Sequence, residues 1–325
     1  MHSVNVVSAR LSLRDILGGW GVRWNIGRSR YIVLPGLYAV GKPAPESPVL
    51  VTANYKLTFD TLRSELSGTD AWILVLDTKG VNVWCAAGKG TFGTRELEQK
   101  VLALRLDQVV SHRTLIVPQL GATGVSAPQV QKATGWRVVF GPVRARDIPA
   151  FLANGMKKDD AMRRVEFRLP ERMAVAPVEL VQSWPFLAGI AAASALLALP
   201  VGPGYVRQLL SIFLPLAGAV LVGTLAFPAL MVYLPFRAFS LKGALLGVAW
   251  GAAASLVLRA SIAGSLALVF SAASISAYLA MNFTGASTFT CQAGAELEVR
   301  RSTVPMIASL VLGAGLLAAS RFLGI

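Results

Sequence analysis

Hydrophobic and polar positions change rhythm along this chain. Between residues 49 and 155, short β-branched runs alternate with stretches of helical period; beyond residue 184 the apolar runs lengthen toward the scale of a bilayer. "VLVTANY" (49–55), "AWILVLDT" (71–78), "TLIVPQL" (114–120) and "WRVVFGPV" (136–143) read as strands. "TFDTLRSELS" (58–67, opened by Thr58), "RELEQKVLALRL" (95–106), "APQVQKAT" (127–134) and "ARDIPAFLANG" (145–155, ending at a glycine) read as helices. This alternation predicts an α/β, Rossmann-like domain with a parallel sheet, whose ligand sits beyond the carboxyl ends of the strands. The loops expected there, "ANYKLT", "TKGVNVWCAAGKGT", "PQLGATG" and "GPVRA", are rich in Gly, Asn, Thr or Gln. They suit close backbone approach to a large ligand and uncharged hydrogen bonding.

Residues 1–47 are weakly patterned, and the turn-rich "GKPAPESP" (41–48) marks the entry to a domain over 48–170. Residues 171–183 read as a linker, and 184–325 as an all-α transmembrane bundle of five helices, at about 184–201, 209–235, 241–258, 262–281 and 304–323. Pro215 and Pro228 predict a kink in the second, and Glu296 and Glu298 are expected in a loop.

Composition supports the division. The chain is 54% hydrophobic and only 15% charged, too apolar for an ordinary soluble protein. Residues 1–183 hold 24 basic and 15 acidic side chains, whereas 184–325 hold 7 and 2. The net charge of +14 lacks a basic block, finger spacing or aromatic sheet motif, so it points to anionic lipid and not to nucleic acid. The N-terminus shows no signal-peptide core. With the basic 156–183 stretch, this predicts a multi-pass protein of the inner (cytoplasmic) membrane with its N-terminal domain in the cytoplasm.

The candidate chemistry lies in "NVWCAAGKGTFGT" (82–94), which holds one of only two cysteines. Cys85 and Cys291 form no C-x-x-C, so a zinc site or an iron–sulfur cluster built by this chain alone is not expected. A phosphate loop fails at two positions, since Val83 stands where the first glycine belongs and Gly90 follows Lys89. The only histidines, His2 and His112, carry no hydrolase motif. The residues alone leave open an inert core thiol and a soft metal ligand, the latter sufficient where a macrocycle supplies the other donors.

The octapeptide Asn82–Lys89 resembles the signature of the mercury-methylating corrinoid protein family. The likeness continues through "HRTLIVPQLGATGVSAPQV", "GPVRARDIPAFL" and "MRRVEF", and resumes at "MNFTGASTFT", where Cys291 replaces an expected small hydroxyl residue. The large subunit of the corrinoid iron–sulfur protein is a related family, with a cluster segment and without membrane spans. The resemblance implies a cobalamin-type corrinoid bound with its own base displaced and Cys85 as lower axial ligand to cobalt. The Asp-x-His-x-x-Gly motif of histidine-ligated corrinoid domains is absent.

The implied activity is corrinoid-dependent methyl transfer. Co(I) takes methyl from a donor such as methyltetrahydrofolate, and a methylcobalt species passes it to Hg(II) as methylmercury. Reduction to Co(I) requires a ferredoxin-like partner with iron–sulfur clusters, expected to dock near the basic 156–172 stretch. In the implied cap helix, Asn82 is a possible N-cap that brackets the helix with Lys89. Val83 and Trp84 pack beside the corrin or hold the cap to the domain, and Ala86, Ala87 and Gly88 give clearance. Fold logic adds Asn54, Thr58, Gln119, Gly121, Gly124, Gly141, Pro142 and Arg144 as contacts to the corrin amides and nucleotide tail. The competing readings are a corrinoid methyl carrier with another acceptor, and a membrane transport or sensor protein with a small-ligand domain.

Overall fold

The computed structural model describes residues 4–287 and 289–322. His2, Thr288 of the "MNFTGASTFT" stretch and position 323 of the fifth expected span lie outside them. The chain divides into two units, one of residues up to Val22 with Ile26–Glu166, the other of Arg23–Asn25 with Phe167 onward.

The first unit is built on six strands: β1 (Asn5–Val7), β2 (Gly36–Val40), β3 (Val49–Ala53), β4 (Ala71–Leu76), β5 (Thr114–Val117) and β6 (Arg137–Phe140), in the order 1-2-4-3-5-6. The four predicted strands are all present and mutually parallel. β2 runs antiparallel to β4, so the sheet is mixed. The first 47 residues are therefore no separate segment, because β1 and β2 belong to this sheet. "GLYAV" is short and bracketed by Pro35, Gly41 and Pro43, and its partner β4 lies far along the sequence, which hides it from local pattern.

Helices α1 (Leu13–Arg23), α2 (Lys56–Ser64), α3 (Val83–Lys89), α4 (Thr94–Ala103), α5 (Ala127–Thr134), α6 (Ile148–Ala153) and α7 (Asp160–Arg163) complete the unit. Strand alternation divides the core in two. Val49, Val51, Leu74 and Leu76 face Leu97 and Val101 of α4 and Val130 of α5. Leu50, Ile73 and Val75 face Phe59 and Leu62 of α2 and Phe151 of α6. Burial on both faces explains why β3 and β4 read as continuous apolar runs.

A charged cluster ties α1 to α2. Lys56 lies 2.5 Å from Asp15 and 2.6 Å from Asp60, and Arg63 lies 2.9 and 2.8 Å from the same two carboxylates. Burial opposes ionisation of Asp15, but hydrogen bonds from Lys56, Ser12 and Arg63 outweigh it and hold the carboxyl well below the usual range. A depressed folded-state pKa contributes stability above the unfolded value, about pH 4, and loses it as pH falls toward the folded one. Acidification below about pH 4 should therefore release α1. Amide exchange across residues 12–23 checks this, and Asp15→Asn should flatten that pH dependence.

The second unit is helical: α8 (Leu169–Met173), α9 (Ala176–Gln182), α10 (Trp184–Ala198), α11 (Tyr205–Leu221), α12 (Phe227–Leu230), α13 (Phe239–Leu258), α14 (Ile262–Asn282) and α15 (Gln292–Phe322). Among the described residues, four stretches are long and apolar enough to cross a membrane: Tyr205–Leu230, Phe239–Leu258, Ile262–Gly285 and Ala293–Ser320. The span expected at 184–201 is only the 15-residue α10, bent 47° from the preceding helices, so a fifth crossing needs both parts. The expected linker 171–183 is helical, in α8 and α9. The second span runs from Tyr205 instead of 209 and ends at Leu230. Its irregularity is a π turn at Val222–Ala226, with Pro228 tolerated in the first turn of α12. α15 begins twelve residues before the expected 304, so Glu296 and Glu298 lie on a helix and not in a loop. Glu298 accepts the Ser240 amide at 2.6 Å, which shows why an acid is accommodated there.

Gly243, Gly247 and Gly251 form a seam on α13. A Cβ at the first two would overlap the carbonyl oxygens of Ser276 and Ala272, and one at Gly251 would lie 2.9 Å from that of Leu268. The small-residue spacing lets α13 meet α14 backbone to backbone.

Candidate functional site

The chain passes from β3 to β4 on one side, then crosses to β5 on the other side of β3. That reversal opens a crevice at the carboxyl ends of β3 and β5, where ligands bind in open α/β sheets. α3 follows β4 and packs against both β3 and the 3₁₀ turn Gln119–Gly121 beyond β5. It therefore lies across the crevice.

Seven residues form a poor helix in isolation, so local devices must hold α3. The Asn82 side chain accepts the Cys85 amide at 2.9 Å, and Gly90 closes the helix at φ 80°. Val83, Ala86 and Ala87 face the core. Trp84 and Cys85 are half-buried, and Gly88 and Lys89 are exposed. The thiol thus shares the outer face with a glycine one turn on, and no side chain at position 88 stands beside it. Val83 anchors α3 in the core of the domain. Ala86 and Ala87, expected to give clearance, are packed into the core, whereas Gly88 is exposed. Asn82→Ala should cost about 1 kcal/mol as a lost N-cap, read from thermal unfolding of the first unit.

Asn54 is 3% exposed, and its side chain is engaged within the loop that follows β4. Its Oδ1 accepts the amides of Thr78 (3.1 Å) and Gly80 (2.9 Å), and its Nδ2 donates to Asp77 at 3.3 Å. It fixes the loop that launches α3. In the same loop, Lys79 hydrogen-bonds Asp77 and holds its carboxyl below the usual range. Thr58 does not open α2; the helix starts at Lys56 with Tyr55 at the N-cap, and Thr58 sits half-buried in the first turn.

Gln119 accepts a hydrogen bond from Lys158, whose pKa is lowered by burial and then by the nearby Arg163. Lys158 belongs to the basic stretch expected to greet a partner, yet it reaches the loop beyond β5; sequence gave no sign of that. Gly121 is buried against the Phe92 ring, 2.5 Å from where its Cβ would stand. Gly124 runs directly over α3: a Cβ there would overlap the Phe92 carbonyl oxygen and lie 3.0 Å from Ala87 Cα. Gly141 donates its amide to Val117 at 2.8 Å, Pro142 is buried, and Arg144 pairs with Glu166 at 3.2 Å. These loops share one edge of the sheet because β3 to β6 are parallel.

Both cysteines are thiols, not disulfide halves. Among the described residues no group of three His, Cys, Asp or Glu could hold a metal ion. One soft sulfur donor beside a glycine on a short exposed helix instead suits a metal that brings its other ligands in a flat macrocycle.

Residues 27–152 match the family model described as "CO dehydrogenase/acetyl-CoA synthase delta subunit" (CdhD). The chain is 34% identical over 136 residues to the acetyl-CoA decarbonylase/synthase complex subunit gamma of Archaeoglobus fulgidus, covering 40% of this chain and 28% of that protein. It is 35% identical over 122 residues to the Methanopyrus kandleri protein of the same description, covering 37% and 26%. Against the corrinoid/iron-sulfur protein large subunit of Moorella thermoacetica it is 32% identical over 117 residues, covering 35% and 26%. The chain thus spans about a quarter of the length of these relatives.

Proposed function

We propose that this chain is a membrane-anchored corrinoid protein that carries out methyl transfer, with Cys85 as the protein's ligand to cobalt and thiol-bound Hg(II) as methyl acceptor. The observation that carries it is the capped helix α3, which lies across the crevice of a Rossmann-like domain with its single thiol outward and Gly88 beside it. The similarity of residues 27–152 to corrinoid proteins supports the choice of macrocycle.

When bound, a corrinoid supplies a cobalt centre that accepts a methyl group and gives it up to an electrophile. The chain's own residues set the conditions. Cys85 would hold the cobalt through sulfur, a strong electron donor. Asn82 and Gly90 fix the backbone that positions the sulfur, Val83, Ala86 and Ala87 anchor it, and Gly88 leaves room for a flat ring. Gly121 and Gly124 bring the loop beyond β5 down onto the same helix. With two cysteines in the sequence, low-potential electrons must come from an iron–sulfur partner. The long apolar helices serve as anchor in the inner membrane, with the first unit on the cytoplasmic side.

A second reading keeps the corrinoid and changes the acceptor. It is favoured by relatives named for acetyl-CoA complexes. One experiment separates the two. The full chain is purified in detergent, loaded with cobalamin under reduction, and given methyltetrahydrofolate and thiol-bound Hg(II). A cobalamin spectrum that depends on Cys85, with methylmercury formed, supports the first reading. Bound cobalamin that never methylates mercury leaves the second, and a colourless protein overturns both.

A further inference from the structure

We infer that α1 is an interfacial helix whose outer face docks on an anionic lipid surface. The inference goes beyond the corrinoid site and rests only on the anchoring reading of the second unit.

At 100° per residue, Leu13, Ile16, Leu17 and Trp20 span an arc of about 100°. Three of them are more than 60% exposed: Leu13 71%, Leu17 61% and Trp20 65%. Trp24, in the turn that follows, is also exposed. The opposite side of the helix is the docked one. There Val22 is 1% exposed, Asp15 pairs with Lys56 and Arg63, and a Cβ on Gly19 would rest 3.3 Å from Leu57. The helix is thus fixed with its apolar stripe turned outward, the reverse of what a core helix does.

Charge identifies the occupant. Arg14 and Arg23 fall at the two edges of the stripe, with Arg10 exposed just ahead of the helix. The one acid of α1, Asp15, is turned inward and neutralised. Leucines and indoles between flanking arginines match an acyl–headgroup boundary with anionic lipid. Fewer than forty residues separate Glu166 from Tyr205, the start of a stretch able to cross a membrane, so a bilayer is within tether length of the unit that carries α1.

The test uses the full chain in nanodiscs of phosphatidylcholine and phosphatidylglycerol with brominated acyl chains, reading tryptophan quenching. Quenching should drop in the Trp20→Phe/Trp24→Phe variant, which alters only exposed aromatics. Arg14→Gln/Arg23→Gln should shift the docked-to-free ratio about fivefold per charge removed, in discs with phosphatidylglycerol and not in discs without it. Equal quenching of wild type and Trp20→Phe/Trp24→Phe overturns the inference while Trp184 and Trp250 still report an inserted chain. Slow amide exchange at residues 13–24 that is the same in lipid-free detergent assigns the stripe to a second copy or a partner protein and also overturns it. A chain that fails to enter the discs at all overturns the anchoring reading with it.

Discussion

Cys85→Ala should abolish methyl transfer and leave the protein folded. The side chain is half-buried on the outer face of α3, and alanine keeps the backbone amide that the Asn82 side chain accepts. Val83, Ala86 and Ala87 still seat the helix, so stability should change by no more than about 0.5 kcal/mol. Activity should fall by more than about a hundredfold, the upper range for losing a mere outer-shell partner of a metal. Methyl transfer measured beside circular dichroism of the same preparation checks both halves. Cys85→His should keep part of the activity, because imidazole can also bind cobalt. An alanine variant that works nearly as well as wild type would remove the sulfur from the mechanism.

Gly124→Ala should be the most damaging small change away from the thiol. The added methyl has nowhere to go, since its neighbours are the Phe92 carbonyl and the backbone of Ala87, neither of which can rotate away. Relief requires the loop beyond β5 to lift off α3, and this also strains the bond from the Thr94 amide to the Gly124 carbonyl (3.1 Å). Overpacking of this kind costs about 1–3 kcal/mol. Because the loop lies against the cap, cobalamin retention should fall along with the unfolding temperature. Gly88→Ala is the contrast: it faces solvent, so it should spare stability while crowding the space beside the thiol. Unfolding curves and bound cobalamin per chain, measured for both variants, separate the two effects.

The parallel strands β3 to β6 were legible as short apolar, β-branched runs between helical stretches, and β3 to β5 are largely buried on both faces. β1 and β2 were not, since β1 is only three residues long, and β2 lies among Pro and Gly and pairs antiparallel with β4, far along the sequence. A helix over Val83–Lys89 was legible by resemblance, and Asn82 by its residue type at an N-cap. The division of its small residues was not. Whether Ala86 or Gly88 lies beside the thiol depends on which side of a seven-residue helix is packed, and its local pattern is too short to say. Asn54 was placed at the carboxyl end of β3, but its bonds to Thr78 and Gly80 were not legible, because sequence shows a polar side chain and not its partners. In the second unit hydropathy located the long apolar stretches but misplaced their ends, since a helix continues past its apolar stretch wherever residues such as Glu298 find a partner.

The glycine seam between α13 and α14 bears on the order in which the second unit assembles. Only Arg259, Ala260 and Ser261 join the two helices, so the contacts along the seam link positions close in the chain. Closing so short a loop carries little entropic penalty, and local contacts of this kind form early. The hairpin is thereby suited to act as a folding nucleus on which the remaining helices condense.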